Sequence, residues 1–214
     1  MTQDAEPMRR RLMATGFDPR EAATEPMAQF ERWFEDARAA GLRLPHAMSL
    51  ATLGAEGRPH ARMVLMTSSD SGGFIYYTDD ASPKAEAAAA NPWVALVFHW
   101  AGLERQVRVE GTVAPVSDAE AEAQWEQRAW APRPAAWVAR QSQVVENRAV
   151  LEERLLELIA QYENAPIPRP AYYRGFRVRP ALVEFWQGRD DWLHDRVRYR
   201  RGEDGGWVIE RLAP

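Results

Sequence analysis

The sequence predicts one α+β domain, a small antiparallel β-barrel with helices packed outside it. Most of the predicted strands follow one another with only short turns between them, as hairpin-connected antiparallel strands do. Closing such a sheet into a barrel removes its exposed edges. Other segments carry apolar residues at helical spacing, and neither an internal repeat nor a long linker divides the 214 residues. We therefore expect the helices and strands to share one core.

The first half of the chain contains two predicted helices and five predicted strands. Pro26 suits the first turn of a helix and Gly41 its end, and apolar residues recur at helical spacing between them. Ser82 is placed to cap a short alanine-rich helix, with Pro83 in its first turn. The segments GAEGRP and SSDSGG are turn sequences. The strands are predicted over residues 47–53, 60–66, 74–78, 93–100 and 104–113.

The second half contains two more helices and three strands. Ser117 can cap a helix that runs to about residue 130, and a longer helix is expected at about residues 144–162. That longer helix carries one apolar face, which includes Leu151, Leu155 and Leu158. The strands are predicted over residues 176–187, 193–200 and 207–212.

The first 24 residues are polar, and residues 9–11 are all arginine. We interpret residues 1–24 as a flexible N-terminal arm and residues 25–214 as the single domain. The arm is either a solvated tail or a lid that closes over a ligand.

Composition narrows the possible classes of function. The chain has no cysteine, which excludes disulfides, thiolate catalysis and cysteine-ligated metal. The four histidines form no close ligand pair, so we expect no metal site. The net charge of −4 argues against nucleic acid as a partner. Because no apolar run has the length of a signal or a membrane span, we expect a cytoplasmic protein without a membrane partner.

A few residues could carry chemistry. Ser82 and Lys84 lie at a predicted helix start, where backbone N–H groups also favour an anion, and Arg62 is a possible companion cation. The alternation of a strand places His194 and Arg196 on one face, although a buried structural histidine fits the same pattern. Spacing alone therefore predicts an α+β domain with one possible anion site.

Several motifs closely resemble the pyridoxine/pyridoxamine 5′-phosphate oxidase family. They cover nearly the whole chain: ARMVLM (61–66), FIYYTDDASPKA (74–85), LERQVRVEGTV (103–113), ARQS (139–142), VEFWQG (183–188), LHDRVRYRR (193–201) and ERLAP (210–214). The resemblance implies a homodimer of FMN-binding split β-barrels, antiparallel and Greek-key-like with flanking helices, and with FMN at the subunit interface.

The resemblance also implies which residues contact FMN. Arg62 and Lys84 would hold its phosphate beside Ser82, and Gln106 would bond the edge of the isoalloxazine ring. One family arginine is Pro83 here, a loss that should weaken binding without abolishing it. The remaining contacts, some of them from the other subunit, would come from Tyr77, Thr78, Gln141, Ser142, Trp186 and Arg196.

The residues at the family's substrate-binding positions differ more from the family than the predicted FMN contacts do. Relatives grip the phosphate of a vitamin B6 substrate with lysine, tyrosine, arginine and serine, and these positions read Thr67, Gln124, Arg128 and Pro132 here. The family's active-site arginine is Trp192, whereas His194 is kept. In the N-terminal arm, Arg9 is kept and a family tyrosine is Leu12. One arginine alone would compensate a phosphate dianion poorly in a closed pocket.

We therefore expect an FMN-dependent oxidase of a non-phosphorylated aromatic small molecule, such as a dihydrophenazine-like intermediate, with O2 as the acceptor. His194, Arg128 and Trp192 are the candidate catalytic residues: His194 to orient the substrate or take a proton, Arg128 to hold a carboxylate, and Trp192 to form part of the wall. Three alternatives remain open. They are an authentic pyridoxine/pyridoxamine 5′-phosphate oxidase, a non-catalytic flavin-binding protein, and a reductase that uses a deazaflavin.

Overall fold

The computed structural model describes residues 5–214, which form six helices around one strongly curled antiparallel sheet. The helices are α1 (Ala5–Thr15), α2 (Pro26–Ala39), α3 (Pro83–Ala90), α4 (Asp118–Gln127), α5 (Ala135–Val138) and α6 (Arg148–Gln161). A single 3-10 turn, Ala101–Leu103, lies between two strands.

The nine strands are joined in one sheet, and every pair is antiparallel. In spatial order the path runs β2-β1-β5-β6-β7-β4-β3, with β8 on β7 and β9 on β8. The strands are β1 (Ala47–Leu53), β2 (Pro59–Leu65), β3 (Ser68–Asp70), β4 (Gly73–Asp79), β5 (Trp93–Trp100), β6 (Arg105–Pro115), β7 (Tyr173–Gln187), β8 (Asp195–Arg201) and β9 (Trp207–Leu212).

Strand β7 shapes the barrel because it pairs with three neighbours. Residues 173–178 pair with β4, residues 182–187 with β8, and the stretch from residue 176 to residue 187 with β6. The register with β6 shifts between Glu110 and Gly111. A Cβ on Gly111 would lie 2.1 Å from the carbonyl oxygen of Arg179, so only glycine permits this close approach of the two strands. The shift bends the sheet where β7 passes from one partner to the next.

The inner face of the sheet holds the core. Helix α2 covers it with Phe30 and Trp33, whose rings lie 4.7–5.1 Å from those of Phe74 and Phe185. All four side chains are buried. The regularly spaced apolar residues that predict α2 therefore form the face of the helix that closes the barrel.

Most of the predicted elements are present, and their ends differ for local reasons. Helix α4 ends at Gln127 and α6 begins at Arg148, where the side chain of Asn147 accepts the N–H of Val150 and caps the helix. The predicted cap at Ser82 is wrong in detail, because the Ser82 hydroxyl donates to the carbonyl of Asp79 at 2.7 Å. The predicted turn SSDSGG contains the short strand β3. The apolar face predicted for the long helix is not buried in one chain, since α6 has no buried residue.

The N-terminal segment is the main element that sequence patterns do not predict. Helix α1 packs Ala5 and Leu12 against the barrel, so the solvated-tail interpretation is wrong for this part of the chain. After the helix, the backbone N–H of Phe17 donates to Asp195 at 2.9 Å. The flexibility of the arm stays a prediction, and its first four residues lie outside the described residues.

Candidate functional site

An open cavity of about 1540 Å³ lies at the edge of the barrel between β2, β4, the start of α3 and the end of α4. Many of the residues predicted to bind cofactor or substrate line it. They are Arg62, Thr67, Tyr77, Thr78, Lys84, Gln124, Arg128, Gln141 and Ser142.

One end of the cavity carries two cations. Arg62 Nη1 donates to the carbonyl of Leu50 at 3.0 Å and to Thr52 Oγ1 at 2.9 Å, which fixes the guanidinium at the sheet edge. Burial, and then the charge of Arg62, lower the pKa of the Lys84 ammonium to about 8. A pKa lowered by a neighbouring cation shows that the two charges repel each other, and a bound anion relieves such repulsion. This end, which we call the cation end, therefore suits a phosphate.

Neutral polar groups connect Lys84 to the loop after α5. Lys84 Nζ donates to Gln141 Oε1 at 2.5 Å, and Thr78 Oγ1 donates to the same oxygen at 2.6 Å. Ser82 Oγ lies 3.3 Å from Thr78 Oγ1 but is buried behind the cavity wall. Three predicted cofactor contacts, Thr78, Lys84 and Gln141, thus form one network, and Ser82 supports it from behind.

An aspartate and an arginine that the sequence did not single out anchor this loop. Arg140 donates to both oxygens of Asp79, at 2.7 and 2.8 Å, and its guanidinium lies 4.2 Å from the ring centre of Tyr172. The N–H of Gln141 also donates to Asp79. The bond from Arg140, together with the backbone bonds from Ala81 and Gln141, lowers the pKa of Asp79 to about 2. Asp79 therefore remains charged and holds Gln141 beside Lys84.

The other end of the cavity, the Arg128 end, is aromatic. Tyr77 and Tyr173 stack with ring centres 5.5 Å apart, and Trp125 meets Tyr173 edge-on at 5.1 Å. Arg128 Nη1 donates to the Tyr173 hydroxyl at 2.6 Å. Burial raises the pKa of Tyr77 to about 12, so both stacked rings present neutral hydroxyls at pH 7. Tyr173 also lines the cavity, and no sequence motif marked it.

A second group of predicted residues lies on the outer face of the sheet. Gln106 pairs with Trp186, and Trp186 pairs with Arg196, so the three form one row across β6, β7 and β8. Arg196 Nε donates to the buried carboxylate of Glu184 at 2.8 Å. This bond fixes the direction of the Arg196 guanidinium.

His194 and Trp192 adjoin this row. The imidazole of His194 lies 4.8 Å from the Trp186 ring and 5.8 Å from the Trp192 ring. His194 Nδ1 accepts the N–H of Arg189 at 3.1 Å, which leaves Nε2 to carry the proton of the neutral ring. Trp192 has a φ of 63° and is 80% exposed, so its side chain projects from the surface of one chain.

The two groups lie on opposite faces of the sheet. Arg62 pairs with the buried Leu50 and therefore faces inward, whereas Gln106 alternates with the buried Arg105 and Val107 and faces outward. A single chain does not bring the two groups to one ligand.

Two further predicted substrate residues belong neither to the cavity nor to the group on the outer face. Arg9 is on α1, where it pairs with Glu6 at 2.9 Å and lies 3.8 Å from Glu104. Pro132 is exposed in the loop after α4 and does not line the cavity.

Comparison with known proteins places this geometry in a family. The family described as pyridoxamine 5′-phosphate oxidase matches residues 34–162. The C-terminal dimerisation region of pyridoxine 5′-phosphate oxidase matches residues 173–214, the segment that carries Trp186, His194 and Arg196. The chain belongs to the pyridoxamine 5′-phosphate oxidase family. It is an oxidoreductase family, and the predicted membership is confirmed.

Relatives and solved structures agree with this assignment. A pyridoxine/pyridoxamine 5′-phosphate oxidase of Gloeothece citriformis is 46% identical over 214 residues, all of both chains. A protein of the same name from Acaryochloris marina is 50% identical over 194 residues, which cover 91% of this chain and 88% of the relative. The structure of PhzG from Burkholderia lata, in complex with tetrahydrophenazine-1-carboxylic acid, superposes with a TM-score of 0.87 at 28% identity and covers 92% of this chain and 96% of that one.

The fold is the split β-barrel of FMN-binding proteins, as the resemblance predicts. An FMN-binding, pyridoxamine 5′-phosphate oxidase-related protein of Nostoc punctiforme shares it with a TM-score of 0.72 at 19% identity, over 87% of this chain and 96% of that one. Within residues 5–214, no helix could cross a membrane. The same residues contain no group of three or more histidine, aspartate or glutamate side chains that could hold a metal ion.

Proposed function

We propose that this protein is a homodimeric, FMN-dependent oxidase of a non-phosphorylated aromatic small molecule. One observation carries the proposal: Arg62 and Lys84 both line the cation end of the cavity, whereas at the Arg128 end the cavity is lined by one cation, Arg128, beside the neutral Gln124. A phosphorylated cofactor and a less charged substrate fit this asymmetry.

The residues present fit FMN. The paired charges of Arg62 and Lys84, with the donors of the Thr78 network, suit its phosphate. The flat ring of Trp186 and the amide of Gln106 suit the isoalloxazine ring, and we assign them to the second subunit because they face away from the cavity of their own chain. Pro83 in place of a family arginine leaves two cations, enough to offset a phosphate dianion.

When bound, FMN would supply the redox chemistry of a two-electron oxidation, in which the substrate loses a hydride and a proton and O2 is reduced to hydrogen peroxide. The chain's own residues position the substrate. The exposed plate of Trp192 would cover an aromatic ring, and His194 Nε2–H would donate to a substrate oxygen or nitrogen. The cytoplasmic location stays a prediction.

The test begins with the purified protein. We expect a flavin absorption spectrum, release of FMN on denaturation, and O2 consumption with tetrahydrophenazine-1-carboxylic acid, the ligand in the PhzG structure. Pyridoxine 5′-phosphate should support slower turnover. A protein that binds no flavin on titration contradicts the proposal.

An authentic pyridoxine/pyridoxamine 5′-phosphate oxidase is the second candidate. The 46% identity over the full length of a relative with that name favours it, and so does the retained Arg128. Formation of pyridoxal 5′-phosphate, followed by its absorbance, separates the two candidates. Faster turnover of the phosphorylated vitamer than of the carboxylated aromatic compound would establish the second candidate over the first.

A further inference from the structure

We propose that His99 is a further contact to the flavin ring: from the second subunit, beside Gln106, its imidazole donates a hydrogen bond that stabilises reduced FMN more than oxidised FMN. The inference rests on the proposed function, because it needs FMN at the subunit interface. The placement of the imidazole is argued from the pairing of the strands and from the contacts on the outer face of the sheet.

His99 extends the row of Gln106, Trp186 and Arg196 by one strand. It pairs with Gln106 across β5 and β6, and Gln106 in turn pairs with Trp186. Directly opposed residues of an antiparallel pair project their side chains to the same face, with Cβ atoms about 5 Å apart. A ring that meets the Gln106 amide at its edge is therefore within reach of the His99 imidazole.

The imidazole of His99 is open to a ligand. Its neighbours along β5, Phe98 and Trp100, are buried in the core, whereas His99 is exposed. Within residues 5–214, no group forms a hydrogen bond with the nitrogens of this ring. A neutral imidazole offers one N–H donor and its protonated form offers two, so a donor is present in either state.

The arginines that point outward along β6 and β8 are already paired with carboxylates. Arg108 and Arg196 pair with Glu184, and Arg198 and Arg200 pair with Glu210. The charges of this part of the outer face are thus balanced within one chain, and they leave the imidazole of His99 without a partner.

A subunit interface on this face would bury His99. The exposed Trp93 lies on the same side of β5, which is typical of a surface that another subunit covers. Polar groups that become buried are normally paired, so the dimer has to supply a partner for the imidazole. The flavin ring assigned to the neighbouring Gln106 supplies an acceptor at this place.

A donor at the flavin ring affects reduction more than binding. Reduction by a hydride adds two electrons and one proton to the ring, so the ring gains one negative charge. A hydrogen bond to a charged acceptor is roughly twice as strong as one to a neutral acceptor. The N–H of His99 should therefore hold the reduced ring more tightly than the oxidised ring, which raises the reduction potential of the bound flavin.

The reduction potential of bound FMN, measured by equilibration with a reference dye, tests the inference. His99→Phe keeps an aromatic ring and removes both ring nitrogens. It should weaken binding of reduced FMN about tenfold relative to oxidised FMN, which lowers the two-electron potential by about 30 mV. His99→Gln keeps a neutral donor and should recover part of this shift. Riboflavin should show the same shift, because His99 does not contact the phosphate.

The matched control is His60→Phe. His60 is an exposed histidine on β2 that pairs with Thr52 and does not line the cavity. This variant should keep the potential of the wild type. Analytical ultracentrifugation checks that each variant is dimeric, and His99→Leu takes the place of His99→Phe if that variant does not assemble.

Equal potentials in the wild type and in His99→Phe would overturn the inference. An equal fall in His60→Phe, or a fall seen with FMN and absent with riboflavin, would overturn it too. A wild-type protein that binds no flavin contradicts the proposed function and this inference together. A flavin-bound protein whose potential does not depend on His99 counts against this inference alone.

Discussion

Lys84 is a buried cation among the proposed FMN contacts. Its pKa of about 8 is set by burial and by Arg62, so the ammonium is mostly charged at pH 7 and mostly neutral at pH 10. The charged form is the one that binds a phosphate. We therefore expect FMN affinity to fall about tenfold as the pH rises from 7 to 10.

The measurement is a fluorescence titration of FMN and of riboflavin, which lacks the phosphate, at each pH. Riboflavin binding should not follow the titration of Lys84. Lys84→Arg keeps a permanent charge and should flatten the FMN profile. Parallel profiles for FMN and riboflavin in the wild type would contradict the assignment of Lys84 to the phosphate.

Substitution of Trp192 tests the proposed substrate contacts without changing the proposed contacts to the FMN phosphate. Its side chain is 80% exposed and lies beside His194, away from Arg62 and Lys84. Trp192→Arg should leave FMN content unchanged and shift the ratio of kcat/KM for phosphorylated over carboxylated substrate upward by about tenfold, since it adds a cation. Leu193→Arg adds the same charge one residue later and is the control. An equal shift in both variants would mean that net charge alone, and not the position of Trp192, determines the substrate.

At the residue scale, the sequence identifies the candidate cofactor residues better than the residues that support them. The motifs that mark Arg62, Thr78, Lys84 and Gln141 are local, and the structure brings all four together. Asp79 supports this group through Arg140, 61 residues away, and Tyr173 meets Arg128 from 45 residues away. Neither pairing repeats at a short period, so no pattern in the sequence could reveal it.

The loop after α5 owes its position to the ion pair of Asp79 and Arg140. Asp79→Ala should lower the free energy of unfolding by about 2 kcal/mol, because it removes a buried carboxylate whose pKa Arg140 lowers from 3.8 to about 2. It should also weaken FMN binding, since Gln141 loses its backbone anchor. The control is Asp80→Ala, which removes one exposed bond to Arg140 and should cost less than about 0.5 kcal/mol.

Low pH should destabilise the loop after α5, because it protonates Asp79. The pKa of Asp79 is lowered from 3.8 to about 2, so its contribution to stability is fully present above pH 3.8 and is lost as the pH falls toward 2. Urea unfolding at pH 3 and 7 measures the loss of stability, and hydrogen exchange of residues 139–147 measures the loosening of the loop after α5. Equal stability of the Asp79 and Asp80 variants at pH 7 would show that the pair does not hold the loop.

Elements with alternating or amphipathic patterns are predicted from the sequence to within a few residues, because burial on one face imposes those patterns. Strand β1 matches its prediction at both ends. Helix α1 is not predicted, because its contacts with the barrel use only two buried residues among charged ones. Helix α6 has the predicted apolar side chains, but none is buried by one chain.

At the scale of the whole molecule, a second subunit would explain why large apolar side chains remain exposed on one face of the sheet. Met63, Leu65 and Trp93 are 65, 50 and 57% exposed on outward positions of β2 and β5. The same face carries Gln106, Trp186 and Arg196, and the matched dimerisation region ends the chain. A patch of this kind is typical of a protein interface. A second copy seated there would bring its outer row to the cavity of the first chain.

Mixed dimers test this arrangement, because Lys84 and Arg196 would then serve one FMN from different subunits. Lys84→Ala and Arg196→Ala should each lose most FMN when expressed alone. In a dimer with one subunit of each kind, one site collects both substitutions and the other collects neither. Random pairing should therefore restore FMN to about a quarter of all sites. FMN released on denaturation gives the count, and mixed dimers purified through two different affinity tags should carry about one FMN per dimer, half of their sites. If both residues contacted FMN from the same chain, every site of the mixed dimer would keep one defect, and co-expression would restore nothing.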